Sequence, residues 1–202
     1  MTSVVYTIAG ALSWPLMRGV YRLRVTGFEN IPPGGLVLAA NHTSNFDPWP
    51  LGFPLWPRRQ LHFMAKAELF NPVVGPILRD AGAFPVRRGE HDVEAIETAV
   101  RLCRGGKIVA MFPEGTRREK GLRKKFTARP RGGAARIALA AEVPLVPAAI
   151  KGTDRMLTLP RLEVSYGKPV PIDDLAGLPP RDAADTATQR LMAAIQALYE
   201  EL

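Results

Sequence analysis

Short apolar runs alternate with helical patterns along most of the chain. The runs that have the composition of buried β-strands are 24–28, 36–40, 61–65, 83–86, 107–112, 145–150 and 162–166. Helical spacing of apolar residues falls at 76–80, 92–104, 132–141 and 181–202. This alternation predicts a single α/β domain, in which helices flank a central, mostly parallel or mixed sheet.

Two helices have a definite predicted apolar face. Asp92 precedes the first as its N-cap, and a Gly-Gly pair follows Arg104. The faces predicted to pack on the sheet are Val93, Ile96, Val100 and Cys103 in this helix, and Leu191, Ile195, Leu198 and Leu202 in the last one.

The N-terminus differs from the rest because residues 1–17 carry no charge, and Arg18, Arg22 and Arg24 follow. An apolar helix with a basic flank is typical of segments that lie on a membrane surface. The alternative is a terminal helix packed on the domain. We favour the interfacial helix, over residues 1–23, with the α/β domain in 24–202. The proline-rich stretch 48–57 is predicted to be a second exposed apolar surface, facing lipid or an acyl chain.

Composition narrows the class of protein. The net charge of +8 favours anionic partners, such as nucleic acid, an anionic membrane or phosphorylated substrates. A single cysteine, Cys103, excludes an internal disulfide and a multi-cysteine metal site. The three histidines show no metal-ligand spacing, and the N-terminus lacks the basic region of a signal peptide.

Polar residues follow several predicted strands at the point where each strand ends. They are His42 with Asp47, Lys66, Arg88, and Glu114 with Arg117. In α/β sheets, sites collect at the carboxyl ends of the strands. We therefore expect these side chains to converge on one edge of the sheet.

His42 and Asp47 lie at the two ends of a predicted strand-to-helix connection. Asp47 suits the N-cap of the next helix, and Pro48 its first position. Residues five apart lie on opposite faces of a strand and roughly 140° apart on a helix, so only a turn brings them together. The carboxylate then accepts one ring N–H and fixes the tautomer of the imidazole. The other ring nitrogen is free to take a proton from a hydroxyl. A plain helix cap and an ordinary loop histidine remain the alternatives.

One edge of the sheet would then carry a histidine base, cations and a carboxylate. This set of groups fits the transfer of a group onto a hydroxyl that lies beside a phosphate. Arginine binds a phosphate with two parallel hydrogen bonds. The alternative for Arg88 and Arg117 is a solvated surface position, and for Glu114 a loop salt bridge or a turn residue. The chain has no G-x-S-x-G elbow, no Walker A motif and no G-x-G-x-x-G motif. A nucleophilic serine, nucleotide phosphoryl transfer and hydride transfer therefore have no support.

The sequence resembles the glycerolipid acyltransferases, specifically the 1-acyl-sn-glycerol-3-phosphate (lysophosphatidate) acyltransferase family. Four blocks match in order, and together they span about residues 25–152. They are Asn41-His42-Thr43-Ser44-Asn45-Phe46-Asp47, which looks like the His-x4-Asp block, and the segments 82–89, 112–117 and 143–147.

The resemblance implies roles for particular residues. His42, oriented by Asp47, deprotonates the free hydroxyl of lysophosphatidic acid, and the alkoxide attacks the thioester of acyl-CoA or acyl-carrier protein. It implies no acyl-enzyme, no metal and no cofactor beyond this acyl donor, and the product is phosphatidic acid. The residues implied to hold the acceptor are Lys66, Arg88, Glu114, Gly115, Thr116 and Arg117.

The expected partners are a lysophospholipid acceptor, an acyl thioester donor and an anionic membrane surface, and no nucleic acid. The expected location is the cytoplasmic face of the membrane, as a peripheral or monotopic protein. The chain departs from the family where Arg87 replaces an often acidic residue, and where 117–131 is unusually basic. Alternatives are another lysophospholipid or glycolipid acceptor, a hydrolase that uses the same histidine with water, or a non-catalytic basic module that binds lipid or nucleic acid.

Overall fold

The structure is a computed structural model that describes residues 2–87, 92–114 and 130–202. Its centre is a seven-stranded sheet with strand order β1-β7-β6-β2-β5-β3-β4. The strands are β1 (Arg24–Thr26), β2 (Leu36–Ala40), β3 (Leu61–Lys66), β4 (Ala83–Val86), β5 (Ile108–Met111), β6 (Leu145–Lys151) and β7 (Glu163–Tyr166). Every neighbouring pair is parallel except β6 and β7. The predicted α/β domain with a mixed sheet is confirmed.

Helices cover both faces of the sheet. They are α1 (Val4–Pro15), α2 (Pro48–Gly52), α3 (Val74–Asp80), α4 (Val93–Arg104), α5 (Gly133–Ala141) and α6 (Pro180–Glu200). The central strand β2 is buried along its whole length because its side chains alternate between two core clusters. Val37 and Ala39 face α4, α5 and α6, whereas Leu36, Leu38 and Ala40 face the opposite side.

Three of the four residues predicted for the buried face of α4 pack on the core, namely Cys103, Ile96 and Val100, and Val93 does not. Asp92 caps the helix through the N–H of Ala95, as expected. The buried residues, however, are Ala95, Ala99 and Cys103, whereas Val93 is 62% exposed. The two alanines allow a close approach between α4 and the small-residue helix α5. In α6 the predicted Leu191 and Ile195 are buried, and alanines at its N-terminal end extend the face.

The proline-rich stretch 48–57 packs on the core and is buried or half-buried at every position except Pro57, so the prediction that it is an exposed surface was wrong. Pro50, Leu51 and Leu55 are buried. Proline fits here because the first turn of a helix has no N–H that needs a partner. A second reason is that α1 covers the stretch: the hydroxyl of Tyr6 donates to the carbonyl of Gly52.

The predicted N-terminal helix is present as α1, which a π-helical turn, Leu16–Val20, extends. One side of α1 packs on the domain, where Ser13 accepts a hydrogen bond from the indole of Trp49. The large apolar side chains that remain exposed on α1 and its extension are Val4, Ile8, Leu12, Trp14, Leu16 and Val20. Among residues 2–87, 92–114 and 130–202, no helix combines the length and the apolar character that crossing a membrane requires.

Candidate active site

His42 and Asp47 are in contact at the carboxyl end of β2. The strand ends at Ala40 and α2 begins at Pro48, so the two residues occupy a tight strand-to-helix turn. His42 Nδ1 lies 2.7 Å from Asp47 Oδ2. The aspartate is fully buried, and the His42 side chain is 11% exposed. Nε2 of His42 has no hydrogen-bond partner among the described residues. The arrangement predicted from the five-residue spacing is therefore present.

The carboxylate of Asp47 is turned back onto its own loop. It accepts the N–H of Thr43 at 2.7 Å and the N–H of Ser44 at 2.9 Å. Although Asp47 occupies the N-cap position of α2, its side chain makes no hydrogen bond to that helix. The predicted placement of Asp47 at the N-cap position and of Pro48 at the start of the helix is confirmed, whereas the alternative of a plain helix cap is not supported. Two backbone N–H groups instead compensate a buried negative charge beside the imidazole.

Sequence reasoning did not identify Thr153. This residue follows β6 and is buried, with its hydroxyl 2.5 Å from Asp47 Oδ1. The signal that found the other polar residues, a polar side chain directly after a predicted strand, also applies to the Gly152-Thr153 pair after strand 145–150.

Asn41 joins the two strands that carry these residues. Its side-chain amide donates to the carbonyl of Ile150 at 2.9 Å and accepts the N–H of the same residue at 2.8 Å. The amide thus extends the parallel pairing of β2 and β6 beyond the last paired backbone, Ala40 with Ala148. It fixes the distance between the His42 turn and the Thr153 turn.

The neighbouring strand β5 supplies the next residues of the site. The ring of Phe112 stacks on the imidazole of His42, with centroids 4.3 Å apart. Two residues later, Glu114 borders a cavity of about 40 Å³ that Asn41 and Thr43 also line. Side chains from the C-terminal half of α6 close this cavity: Met192, Ile195, Gln196 and Tyr199. The structure therefore brings Glu114 to the same edge as the histidine turn.

Of the remaining predicted site residues, the structure describes only Lys66. Lys66 is the last residue of β3, which lies next to β5, and it is exposed at the same sheet edge. Its ammonium makes no hydrogen bond or ion pair with another residue of the described part. The predicted residues Arg88, Gly115, Thr116 and Arg117 lie outside the described residues. In the described ranges, no group of three or more His, Cys, Asp or Glu side chains could hold a metal ion.

Two phenols hold the helix that follows the histidine turn. Tyr166 donates to the carbonyl of Leu51 at 2.7 Å, and Tyr6 donates to that of Gly52 at 3.1 Å. Burial raises the pKa of Tyr6 to about 12 and raises the pKa of Tyr166 further above its usual value. Both hydroxyls therefore remain neutral donors, and they anchor α2 and the turn to the core.

Comparisons with known proteins agree with this geometry. A family model described as Acyltransferase matches residues 22–151. The 1-acyl-sn-glycerol-3-phosphate acyltransferase of Bacillus subtilis (strain 168) is 34% identical over 185 residues, which cover 89% of each chain. The enzyme of that name from Streptococcus pneumoniae is 31% identical over 170 residues, which cover 82% of this chain and 61% of that one.

The fold also matches a solved structure. The crystal structure of the 1-acyl-sn-glycerophosphate (LPA) acyltransferase PlsC from Thermotoga maritima superposes with a TM-score of 0.67. The match covers 96% of this chain and 78% of that one, at 23% sequence identity. At that identity the similarity shows the shared fold.

Proposed function

The chain belongs to the acyltransferase family, and we propose that it transfers a fatty acyl group to the free hydroxyl of lysophosphatidic acid. The product is phosphatidic acid, and the donor is acyl-CoA or acyl-carrier protein. The contact between His42 Nδ1 and Asp47 Oδ2 is the observation that carries the proposal. Relatives that carry the name 1-acyl-sn-glycerol-3-phosphate acyltransferase support the choice of acceptor.

The site supports a direct transfer. Asp47 fixes the proton on Nδ1, so Nε2 is the ring nitrogen that accepts the proton of the acceptor hydroxyl. The alkoxide oxygen attacks the thioester carbonyl, and the carbon–sulfur bond breaks as the tetrahedral intermediate collapses. The leaving thiolate recovers the proton from the imidazolium. No acyl-enzyme forms, and the histidine ends in its starting state.

The acceptor's phosphate needs cations near this turn. We propose that Lys66, Arg88 and Arg117 bind it, and that Glu114, Gly115 and Thr116 contact the glycerol end. The positions of Lys66 and Glu114 support this, because Lys66 ends β3 and Glu114 follows β5 at the sheet edge that carries His42. Arginine and lysine differ in geometry, and a bidentate arginine grip suits a phosphate monoester.

We also propose that the outer side of α1 rests on an anionic membrane at the cytoplasmic face, as in a peripheral or monotopic protein. Three of its exposed side chains, Val4, Ile8 and Leu12, follow one another at intervals of four and form a stripe on the helix. Arg18 and Arg22 follow, which suits anionic headgroups. The opposite side of α1 is already used, because Tyr6 and Ser13 are bonded to the domain.

Vesicle binding tests the membrane proposal. Leu12 is 71% exposed on α1, so Leu12→Asp should strongly reduce cosedimentation with vesicles that contain phosphatidylglycerol. Leu178→Asp is the matched control, because Leu178 is an exposed leucine outside α1, shortly before α6. Equal vesicle binding by L12D and wild type would contradict the proposed contact between α1 and the membrane.

A panel of donors and acceptors tests the reaction. Purified protein is mixed with palmitoyl-CoA or palmitoyl-carrier protein and with lysophosphatidic acid, other lysophospholipids, a glycolipid acceptor or water alone. Mass spectrometry measures acylated lipid and free fatty acid. We expect phosphatidic acid as the main product. Free fatty acid as the main product identifies a hydrolase, and faster acylation of another acceptor reassigns the substrate.

A further inference from the structure

The two oxygens of the Asp47 carboxylate have different partners. Oδ2 accepts hydrogen bonds from His42 Nδ1 and from the backbone N–H groups of Thr43 and Ser44. Oδ1 accepts a hydrogen bond from the hydroxyl of Thr153 at 2.5 Å, and the hydroxyl of Thr43 is more distant at 3.4 Å. The oxygen that does not face the histidine therefore depends mainly on one hydroxyl, from a strand distant in sequence.

The direction of these hydrogen bonds follows from the number of protons. An ionised carboxylate only accepts, so the hydroxyl of Thr153 must donate its single proton to Asp47. The hydroxyl oxygens of Thr43 and Thr153 are 2.9 Å apart. Because the proton of Thr153 is already used, Thr43 donates to Thr153. The result is a chain of donors from Thr43 through Thr153 to Asp47, in which each bond polarises the next.

The backbone at Gly152 allows this contact. Gly152 has φ of +98°, and a Cβ there would lie 2.6 Å from the carbonyl oxygen of Arg161. Only glycine therefore fits between β6 and Thr153. Thr153 is 2% exposed and Asp47 is fully buried, so water does not readily replace the hydroxyl.

We propose that Thr153 is a positioning residue of the acyltransferase site: it holds the Asp47 carboxylate in the orientation that presents Oδ2 to His42. The proposal rests on the proposed function, in which His42 is the base. Without the hydroxyl, the nearest remaining donor to Oδ1 is the hydroxyl of Thr43, 3.4 Å away, and the carboxylate can rotate away from the imidazole.

The test compares Thr153→Val with Thr153→Ser. Valine keeps the shape and removes the donor, whereas serine keeps the donor. We expect T153V to lower kcat by about 10- to 100-fold, the loss that one hydrogen bond to a charged group produces, with KM little changed. We expect T153S to regain activity within about threefold of wild type and to keep the wild-type pH profile of kcat/KM, from which T153V departs. Glu114 also lines the cavity beside Thr43 and is unchanged in every variant.

Thr188→Val is the matched control. Thr188 is another buried threonine, and its hydroxyl donates to a carbonyl of its own helix, α6. T188V should keep the wild-type kcat and pH profile. If T153V fails to fold, Thr153→Ala replaces it against the same T153S variant.

Two further results complete the test. In the proton NMR spectrum, we expect the downfield signal of the His42 Nδ1–H to weaken or move upfield in T153V and to persist in T188V. The proposal is overturned if T153V, or T153A in its place, matches T153S in kcat and in pH profile. A wild-type protein that acylates no acceptor would refute the proposed function, and the NMR comparison would still decide the role of Thr153.

Discussion

The imidazole of His42 stacks on the ring of Phe112, with the two planes inclined by 23°. Because Phe112 follows β5 and His42 follows β2, the contact joins the ends of two adjacent parallel strands. The ring restricts the imidazole on one side, while Asp47 fixes it at Nδ1. The position of the proposed base thus depends on packing as well as on a charge.

Removal of the Phe112 ring should impair catalysis more than folding. For Phe112→Leu, which keeps an apolar side chain, we expect kcat to fall by about threefold to tenfold, because an aromatic pair contributes about 0.5–1.5 kcal/mol beyond its buried area. Steady-state kinetics and the thermal midpoint are measured together. Phe112→Tyr keeps the ring and is the control; similar kcat values in the two variants would argue against a role for the stack.

Loss of the Asn41 amide should destabilise the protein. Asn41→Ala removes two hydrogen bonds and leaves the N–H and carbonyl of Ile150 buried without partners. We expect the free energy of unfolding to fall by about 2–4 kcal/mol, measured by urea denaturation. Asn30→Ala is the control, because the Asn30 side chain makes one bond, to the carbonyl of Tyr166, and should cost about half as much. A smaller loss in N41A than in N30A would contradict the role of the Asn41 amide in joining β2 and β6.

Close packing of α1 should make Gly10 sensitive to substitution. A Cβ at Gly10 would lie 2.4 Å from the indole of Trp56, so Gly10→Ala should displace α1 from the domain. We expect faster proteolysis within α1 and a lower thermal midpoint. Gly19→Ala is the control, because a Cβ there meets nothing within 4 Å. If G10A resists protease as well as G19A does, α1 does not pack as described.

Acid should destabilise the protein through His62. Burial, with a contribution from the charge of Lys107, lowers the pKa of His62 below its usual value. The folded state therefore favours neutral His62, so the stability is complete above the unfolded value of about 6.5 and falls as the pH drops through the lowered folded value. In His62→Gln, the thermal midpoint should change less between pH 7.5 and pH 5.5 than in wild type. An equal change in both proteins would exclude this histidine as the cause.

The local parts of the site could be predicted from the sequence, but the distant parts could not. The apolar run before Asn41 predicts β2, and the five-residue spacing of His42 and Asp47 already requires a turn. Thr153 lies 106 positions after Asp47, so its contact depends on which strand pairs with β2. No local pattern states that β6, and not β7, is that neighbour.

The errors in predicting which side of a segment is buried also arise from contacts with segments distant in the sequence. The prolines of 48–57 suggested exposure, but α1 and the hydroxyl of Tyr166 cover the stretch. In α4 the larger apolar residues suggested a face through Val93, whereas the close approach of α5 favours alanines there. In both cases a neighbouring element, and not the segment's own composition, determines which side is buried.

The rate of phosphatidic acid formation by His42→Ala tests the central claim most directly. The control is His62→Gln, in which the other described histidine is changed. We predict that H42A loses about 10²–10⁴-fold in kcat, the usual contribution of a positioned base, while it retains the wild-type fold and thermal midpoint. H62Q should remain active at pH 7.5. Phosphatidic acid formation by folded H42A at the wild-type rate would contradict the account.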